Sequence, residues 1–322
     1  MENTKFNILV SEHFPEEHII DEILGNIANI KFTNKIYEEI PKDEIKDVDA
    51  IILGGSKITR TSIEYAKRLK IIGRVGVGVD NVDIEACAKR GIIVFNTPGL
   101  NAESVADLTI ALILAVARKL FHLVKITKEG SWDEKLSYVG IELYGKTIGI
   151  VGLGNIGQAV ARRAKGFNMR ILYYDRKRKV EAEKKLGAIF VDFRTLLRES
   201  DIVTLHVPLT KETRHMIGER ELKLMKPTAI LINTARGEVV DYKALYKALK
   251  EGWIMGAGID VYEKEPAYNH PLFNLDNVVV TPHVGDLTYE AYRRMLKEVC
   301  YNIKNYLLYK KMPKTLVIKS TK

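Results

Sequence analysis

The stretch that decides the fold is KTIGIVGLGNIGQAV, at residues 146–160. An apolar run at 147–151 leads into a turn whose glycines are Gly152, Gly154 and Gly157, and a helical pattern follows the turn. This order of strand, Gly-x-Gly-x-x-Gly turn and helix is typical of a dinucleotide-binding βαβ unit. The first glycine permits the tight turn, the second lets the backbone approach a pyrophosphate, and the third permits close helix packing.

The residues around this turn predict which dinucleotide binds. Asn155 and Ile156 open the helix, whose N-terminal N–H groups would face the pyrophosphate. The next strand ends at Asp175, where such units place an acid for the adenosine ribose. We therefore predict NAD as the cofactor, because this carboxylate would repel the 2′-phosphate of NADP. Arg176 leaves NADP open as an alternative, because an arginine beside this position can hold a 2′-phosphate.

Composition and length restrict the class of protein. The 322 residues, of which 46% are hydrophobic and 28% charged, suit a globular protein of about two domains. The longest apolar stretch, 108–117, is too short to span a membrane, and the N-terminal residues do not resemble a targeting peptide. We therefore expect a cytoplasmic protein without a membrane partner. Cys87 and Cys300 are far apart, which predicts neither a disulfide framework nor a metal site.

The net charge of +9 comes from 50 basic and 41 acidic residues. Basic residues are mostly interleaved with acidic ones, as at 181–185, and no aromatic-basic RNA motif or Cys/His finger is present. We therefore expect no nucleic-acid partner. The positive charge suits small anionic substrates instead.

Short β-branched runs alternate with helical patterns along the chain. The ten predicted strands are 8–10, 50–53, 71–75, 92–95, 147–151, 171–174, 202–205, 229–232, 256–259 and 278–281. This alternation predicts βαβ units and parallel sheets, and ten strands suit two sheets better than one.

Two long helical patterns indicate how the chain passes between the sheets. One, at 102–118, follows the turn cluster at 96–99 and would enter the second domain, and the other, at 289–309, could return to the first. We therefore predict an α/β protein with a discontinuous domain, residues 1–98 and 288–322, and a cofactor domain at 99–287.

Charged side chains follow the last three predicted strands. The loops after these strands contain Arg236, Glu265 and His283, one in each loop. Such loops meet at the carboxyl edge of a parallel sheet, where ligands bind. A histidine exchanges protons near neutral pH, a carboxylate beside it orients the ring and raises its pKa, and an arginine binds a carboxylate at two points. The three residues together predict hydride transfer at a hydroxy or keto acid. Asp260 is an alternative or supporting acid.

The chain resembles the D-isomer-specific 2-hydroxyacid dehydrogenases from about Ile51 to Tyr306. The stretches that carry the resemblance are GRVGVGVDNVD (73–83), RGIIVFNTPGLNAESVADLTIALILAVAR (90–118), GKTIGIVGLGNIG (145–157), TLHVPLTKET (204–213), LMKPTAILINTARGEVVD (224–241), GAGIDVYEKEP (256–266) and DNVVVTPHVG (276–285). The resemblance implies two doubly wound parallel-sheet domains, a Rossmann cofactor domain and a flavodoxin-like substrate domain. It also implies an active site in the cleft and a homodimer formed by the cofactor domains.

The resemblance further implies roles for single residues. Arg236 orients the substrate, and Glu265 and His283 form the acid–base pair. The backbone of Val77-Gly78 receives the substrate carboxylate, and Asn101 faces the same cleft. The residues expected on the cofactor side, besides those of the glycine turn and Asp175, are His206, Pro208, Thr213, Thr234, Ala235, Asp260 and Gly285.

Within the family the motifs are most similar to short-form D-3-phosphoglycerate dehydrogenases, which predicts oxidation of D-3-phosphoglycerate, a step of serine biosynthesis. Two departures stand against this substrate. Gly55-Ser56 replaces the usual Arg-Ser, and Gly285-Asp286-Leu287 replaces a glycine followed by small residues and serine. Lys57, our candidate substrate ligand, and Arg60 could supply the missing cation.

Two other functions stay open at this point. Reduction of hydroxypyruvate or glyoxylate is the alternative substrate prediction, and it is favoured if Asp286 points into the site, where it would repel a phosphate. A non-catalytic NAD-dependent binding protein is the alternative from another class.

Overall fold

The computed structural model describes residues 5–317, which fall into two compact units. The first unit consists of Met1–Asn101 and Asp286–Lys322, and the second of Ala102–Gly285. Among the described residues, no helix has the combination of length and hydropathy that crossing a membrane requires.

The first unit contains a five-stranded parallel sheet. Its strands are β1 Phe6–Val10, β2 Ala28–Phe32, β3 Ala50–Leu53, β4 Ile71–Arg74 and β5 Ile93–Phe95. The strand order β2-β1-β3-β4-β5 is that of a flavodoxin-like doubly wound sheet. In register, Ile8 of β1 lies between Ile30 and Ala50. The flavodoxin-like fold expected for this domain is confirmed.

Short helices connect these strands. They are α1 His18–Leu24, α2 Lys42–Ile45, α3 Arg60–Tyr65 and α4 Ile84–Lys89. Side-chain caps fix where α3 and α4 begin, because the Ser62 N–H donates to Thr59 Oγ1 at 3.2 Å and the Ala86 N–H donates to Asp83 Oδ1 at 2.8 Å. Alternate residues of β3 point to opposite faces of the sheet, so Ile51 packs in one buried cluster and Ile52 in the other.

The second unit contains a seven-stranded parallel sheet. Its strands are β6 Thr147–Val151, β7 Arg170–Tyr174, β8 Ile189–Phe190, β9 Ile202–Leu205, β10 Ile230–Asn233, β11 Gly256–Ile259 and β12 Val278–Val280. The order is β12-β11-β10-β9-β6-β7-β8. The chain therefore proceeds outward from β6 to β8 and then crosses to β9 on the other side of β6. This reversal defines a Rossmann sheet, and ligands bind at the carboxyl ends of the strands beside it.

Helices cover both faces of this second sheet. They are α5 Ala102–Ala117, α6 Leu120–Glu129, α7 Asn155–Gly166, α8 Val180–Leu186, α9 Phe193–Glu199, α10 Glu219–Leu222 and α11 Tyr242–Lys250, with 3₁₀ turns at Trp132–Tyr138, Gly237–Val239 and Pro271–Asn274. The helix predicted at 102–118 corresponds to α5. It packs closely on the sheet, because a Cβ on Gly258 would lie 3.0 Å from the Cβ of Leu112.

The last helix, α12 Tyr289–Tyr309, belongs to the first unit and has the bounds predicted from its apolar spacing. Its N-terminus is capped by Thr288 Oγ1, which accepts from the Ala291 N–H at 3.2 Å. Gly73 of β4 makes room for it, because a Cβ there would lie 2.7 Å from Val299 Cγ1.

Two observed strands were not predicted, β2 and β8, and both lie at the edge of a sheet. In β2 the buried and exposed residues alternate, and both residues of β8 are exposed. Neither therefore forms the continuous apolar run from which the ten other strands were predicted.

Candidate active site

The glycine turn lies between β6 and α7, at the carboxyl edge of the second unit's sheet. Gly152 has a φ of 96°, and a Cβ there would lie 2.7 Å from the carbonyl oxygen of His206. A Cβ on Gly157 would overlap the carbonyl oxygen of Gly152, whereas Gly154 has open space beside it. Two glycines are thus required by packing, and the third leaves the backbone open at the helix N-terminus. This arrangement suits a pyrophosphate.

Asp175 and His206 lie on either side of this turn. The Leu153 N–H donates to Asp175 Oδ2 at 3.1 Å, which ties the end of β7 to the glycine turn. His206 Nε2 lies 2.9 Å from Thr204 Oγ1, and its buried Nδ1 has no hydrogen-bond partner among residues 5–317. Burial lowers the pKa of His206 to about 3, so this imidazole is neutral. The ring nitrogen of His206 that lacks a partner and the open space at Gly154 both suit a bound dinucleotide.

The other residues predicted on the cofactor side lie in loops after β9, β10 and β12 of the same sheet edge. They are Pro208, Thr213, Thr234, Ala235 and Gly285. The Thr213 hydroxyl donates to the Pro208 carbonyl at 2.6 Å and closes its loop. Thr234 Oγ1 lies 3.1 Å from the hydroxyl of Thr109 on α5. Asn155 and Ile156 begin α7 beside the glycine turn.

His283 and Glu265 form a hydrogen-bonded pair. Nδ1 of His283 lies 2.6 Å from Oε2 of Glu265, whose Oε1 accepts from the Tyr262 N–H at 2.8 Å. The backbone contact fixes the carboxylate, and the carboxylate fixes the ring. The pair remains accessible, since the side chain of His283 is 43% exposed. Its Nε2 is therefore the ring nitrogen suited to exchanging a proton with a ligand.

Asp260 holds the loop that carries the histidine. Its Oδ1 accepts from the Thr281 hydroxyl at 2.6 Å and from the Val284 N–H at 2.8 Å, and its Oδ2 accepts from the Gly285 N–H at 2.9 Å. Bonds on both sides of His283 thus fix this residue, whose φ of 55° is unusual for a side chain other than glycine. Asp260 positions the loop, and Glu265 is the acid bonded to the ring.

Arg236 follows β10 in a loop that is joined to the loop of the acid. Its carbonyl oxygen accepts from Asn233 Nδ2 at 2.9 Å, and its Nη1 donates to the Ala235 carbonyl at 2.7 Å. Gly237 packs so closely on the Tyr262–Glu263 peptide that a Cβ would overlap it. The positions of the arginine loop and the acid loop are therefore coupled.

The electrostatics of the pair favour a charged histidine beside a charged carboxylate. Burial acts to raise the pKa of Glu265, but the hydrogen bond and charge of His283 outweigh it and hold that pKa below its usual value. Burial acts to lower the pKa of His283, but the bond and charge of Glu265 outweigh it, so this pKa is raised. The charge of Arg236 opposes part of this rise. The imidazole therefore keeps its proton to a higher pH than a solvated histidine.

Apart from Arg236, the residues predicted to bind substrate lie in the first unit. Val77 and Gly78 follow β4, after Gly76, whose φ is 136° and whose N–H donates to Thr97 Oγ1 at 2.9 Å. Asn101 is only 7% exposed. Lys57 forms an ion pair with Glu38.

Sequence reasoning did not identify the residues that support the acid–base pair. Thr281 bonds Asp260, Asn233 bonds the backbone of Arg236, and the Tyr262 N–H bonds Glu265. Asn233 is the last residue of β10 and Thr281 directly follows β12, so their position beside Arg236 and His283 could have indicated them. Tyr262 makes its contact through the backbone N–H, so the identity of its side chain does not indicate the contact.

Comparison with known proteins identifies the class to which this fold and site belong. The family model for the NAD binding domain of the D-isomer specific 2-hydroxyacid dehydrogenases matches residues 110–285. The chain is 52% identical, over 308 residues, to a glyoxylate reductase of Thermococcus litoralis, with 90% of this chain and 92% of that protein covered.

Two further comparisons indicate the same class of dehydrogenase. The chain is 46% identical, over 302 residues, to a D-3-phosphoglycerate dehydrogenase of Methanocaldococcus jannaschii, covering 93% of this chain and 57% of that protein. It is also similar to the crystal structure of a D-lactate dehydrogenase from Aquifex aeolicus complexed with NAD and lactic acid, with a TM-score of 0.88 and 32% identity over 97% of this chain and 99% of that one.

The chain therefore belongs to the D-isomer-specific 2-hydroxyacid dehydrogenase family. It is an NAD-dependent oxidoreductase that acts on the CH–OH group of 2-hydroxy acids. The family and the cofactor predicted from the sequence are confirmed.

The pairing of His283 with Glu265 predicts a pH effect. Glu265→Gln removes the charge that raises the pKa of His283, so this pKa should fall. In the reaction predicted from the sequence, the protonated ring gives its proton to the keto acid, so activity is present below this pKa and lost as the pH rises through it. In the variant the loss should therefore begin at lower pH. The measurements are an NMR titration of the His283 ring and the pH profile of reduction.

Glu263→Gln is the matched control, because Glu263 lies in the same loop but its carboxylate is 3.8 Å from His215. It should leave both the titration of His283 and the pH profile in place. An unchanged His283 pKa in Glu265→Gln would contradict the conclusion that the charge of Glu265 raises this pKa.

Proposed function

We propose that this protein uses NADH to reduce small 2-oxo acids without a second negative charge, namely hydroxypyruvate and glyoxylate. The observation that carries the proposal is the pairing of the two cations after β3. Lys57 is paired with Glu38, and Arg60 Nε lies 3.7 Å from Asp83 Oδ2. Because carboxylates offset both charges, these cations offer little attraction to a phosphate group.

The relatives also favour a small 2-oxo acid over a phosphorylated substrate. The glyoxylate reductase matches this chain over nearly the whole length of both proteins, whereas little more than half of the phosphoglycerate dehydrogenase is matched. Phosphoglycerate oxidation, which the sequence motifs favoured, therefore becomes the second candidate. Lys57 keeps a role as phosphate ligand only if its ion pair with Glu38 opens.

In the proposed reaction, NADH held at the glycine turn and Asp175 would supply the hydride for the substrate carbonyl carbon. His283, protonated and paired with Glu265, gives its Nε2 proton to the carbonyl oxygen, so the carbonyl becomes the hydroxyl of the 2-hydroxy acid. Glu265 stabilises the imidazolium before this transfer. In the reverse direction the neutral ring accepts the hydroxyl proton.

Arg236 and the first unit would hold the substrate in this proposal. The guanidinium of Arg236 binds the substrate carboxylate and polarises the carbonyl oxygen beside it. The backbone N–H groups of Val77-Gly78 receive the same carboxylate, which suits a glycine-containing turn. Asp175 accepts hydrogen bonds from the adenosine ribose hydroxyls of NAD.

A panel of 2-oxo acids tests the proposed function. We expect NADH oxidation with hydroxypyruvate and glyoxylate, and a kcat/KM for phosphohydroxypyruvate lower by about tenfold or more, because one unfavourable charge contact of about 1.4 kcal/mol has that effect. Lys57→Ala and Arg60→Ala should leave the order of substrates unchanged. A preference for phosphohydroxypyruvate that either substitution abolishes would establish the phosphoglycerate reaction instead.

We also propose that the protein forms a homodimer through the second unit. Large apolar side chains along α6, the 3₁₀ turn at Trp132–Tyr138 and the residue after that turn are 45% to 77% exposed: Leu120, Phe121, Val124, Trp132, Leu136 and Val139. A monomer rarely exposes so many neighbouring apolar side chains, which favours a protein interface. A second copy is the occupant that the family resemblance implies.

The dimer is tested by placing charges in this surface. Phe121→Glu with Leu136→Glu should convert a dimer to a monomer in analytical ultracentrifugation, because it buries unpaired carboxylates at the interface. Val180→Glu is the control, since Val180 is also exposed but lies at the start of α8. A monomeric unmodified protein, or a dimer that tolerates the double substitution, would contradict this interface.

A further inference from the structure

Hydrogen-bond acceptors gather at the carboxyl edge of the first unit's sheet. Glu12 lies just after β1, and Gly54 and Gly55 follow β3. Asn101 and Asp286 are the residues at which the chain leaves and re-enters this unit. The proposed function brings the substrate to this same edge, at Val77-Gly78 after β4. The acceptors are therefore in a position to contact the part of the substrate remote from its carboxylate.

Gly54 makes room for the carboxylate of Glu12, and the backbone of Gly55 bonds it. The Gly55 N–H donates to Glu12 Oε2 at 2.5 Å. A Cβ on Gly54 would overlap the same carboxyl group, so no larger residue fits there while Glu12 keeps this position. The carboxylate of Glu12 therefore occupies the space beside Gly54 and Gly55 at this edge.

Asn101 adds an acceptor that has no partner. Its side chain is buried, with 7% exposure, and its Nδ2 lies 3.5 Å from Asp286 Oδ2. Within residues 5–317 its Oδ1 makes no hydrogen bond. A buried oxygen of this kind is unfavourable unless water or a ligand donates to it. The amide therefore points to a donor that binds beside Asp286.

The charge of Asp286 acts on other groups at this edge. Burial raises the pKa of Glu12, and the charge of Asp286 adds to this rise against the Gly55 N–H and Arg74. Burial and then the charges of Asp286 and Glu12 also raise the pKa of Tyr292. Glu12 and Asp286 thus place two carboxylates here, with the guanidinium of Arg74 beside them and that of Arg294 bonded to the Leu100 carbonyl. A negative group on a substrate tail that contacts Glu12 or Asp286 is repelled by that carboxylate, although the whole chain carries a net charge of +9.

We propose that Glu12, Asp286 and Asn101 select 2-oxo acids that carry a hydrogen-bond donor, either a hydroxyl or a cationic nitrogen, at the end remote from the carboxylate. The inference rests on the proposed function for the reaction and adds the chemistry of the substrate tail. The C3 hydroxyl of hydroxypyruvate donates to this cluster. Pyruvate and glyoxylate have no such donor, and a phosphate brings only negative oxygens.

The comparison of hydroxypyruvate with pyruvate tests this inference, because the two differ by one hydroxyl. The unmodified protein should prefer hydroxypyruvate in kcat/KM by about tenfold to about a hundredfold, as for a hydrogen bond to a charged group. Glu12→Gln and Asp286→Asn should each reduce this ratio by about tenfold. They should also raise the efficiency with phosphohydroxypyruvate relative to hydroxypyruvate, because each removes a repelling charge.

The matched control is Asp43→Asn, which removes one acid from the same unit. Asp43 lies on α2 with its side chain 90% exposed, and its substitution should leave every substrate ratio unchanged. Because a variant could lose its fold, a second measurement uses the unmodified protein. In the presence of NAD, D-glycerate should bind at least about tenfold more tightly than D-lactate, which lacks the second hydroxyl.

The outcomes separate the two proposals. A hydroxypyruvate preference that both variants reduce, together with tighter binding of D-glycerate, supports the selection by these three residues. Equal efficiency for hydroxypyruvate and pyruvate, or a preference that neither variant alters, overturns this inference while leaving the proposed reaction in place. Absence of activity with every 2-oxo acid overturns the proposed function and this inference with it.

Discussion

The geometry of the candidate active site depends on the buried carboxylate of Asp260. It is 1% exposed and accepts from the Thr281 hydroxyl and the N–H groups of Val284 and Gly285. These bonds hold His283 in a left-handed conformation, which costs a non-glycine residue about 1 to 3 kcal/mol. The ring then meets Glu265, whose own orientation is set by the Tyr262 N–H. Without the buried carboxylate, neither the histidine nor its proton would have a defined position.

The two units contribute opposite kinds of chemistry. The second unit provides a cation, Arg236, and a histidine that Glu265 keeps protonated to higher pH. The first unit provides the carboxylates of Glu12 and Asp286. In the two proposals, the second unit carries out the reaction and the first unit selects the substrate tail.

The sequence predicted the parts of the structure that leave a periodic or spacing signal. Central strands are buried on both faces and form apolar runs, and the glycine turn has a fixed spacing because packing excludes Cβ atoms at Gly152 and Gly157. The edge strands β2 and β8 lack such runs and were missed. The catalytic candidates were predicted because they follow strands. Glu12 also follows a strand, but its contact with Gly55 joins residues far apart in the chain and leaves no spacing signal in the sequence.

The most direct test of the account is to separate proton transfer from cofactor binding at His283. Turnover of hydroxypyruvate or glyoxylate and the Kd for NADH are measured in the unmodified protein and in His283→Ala. Turnover should fall by about 10² to 10⁴, the usual contribution of a general acid, whereas the Kd for NADH should change by less than about threefold. Retained turnover, or a loss of NADH binding as large as the loss of turnover, would contradict the assignment of proton transfer to this histidine.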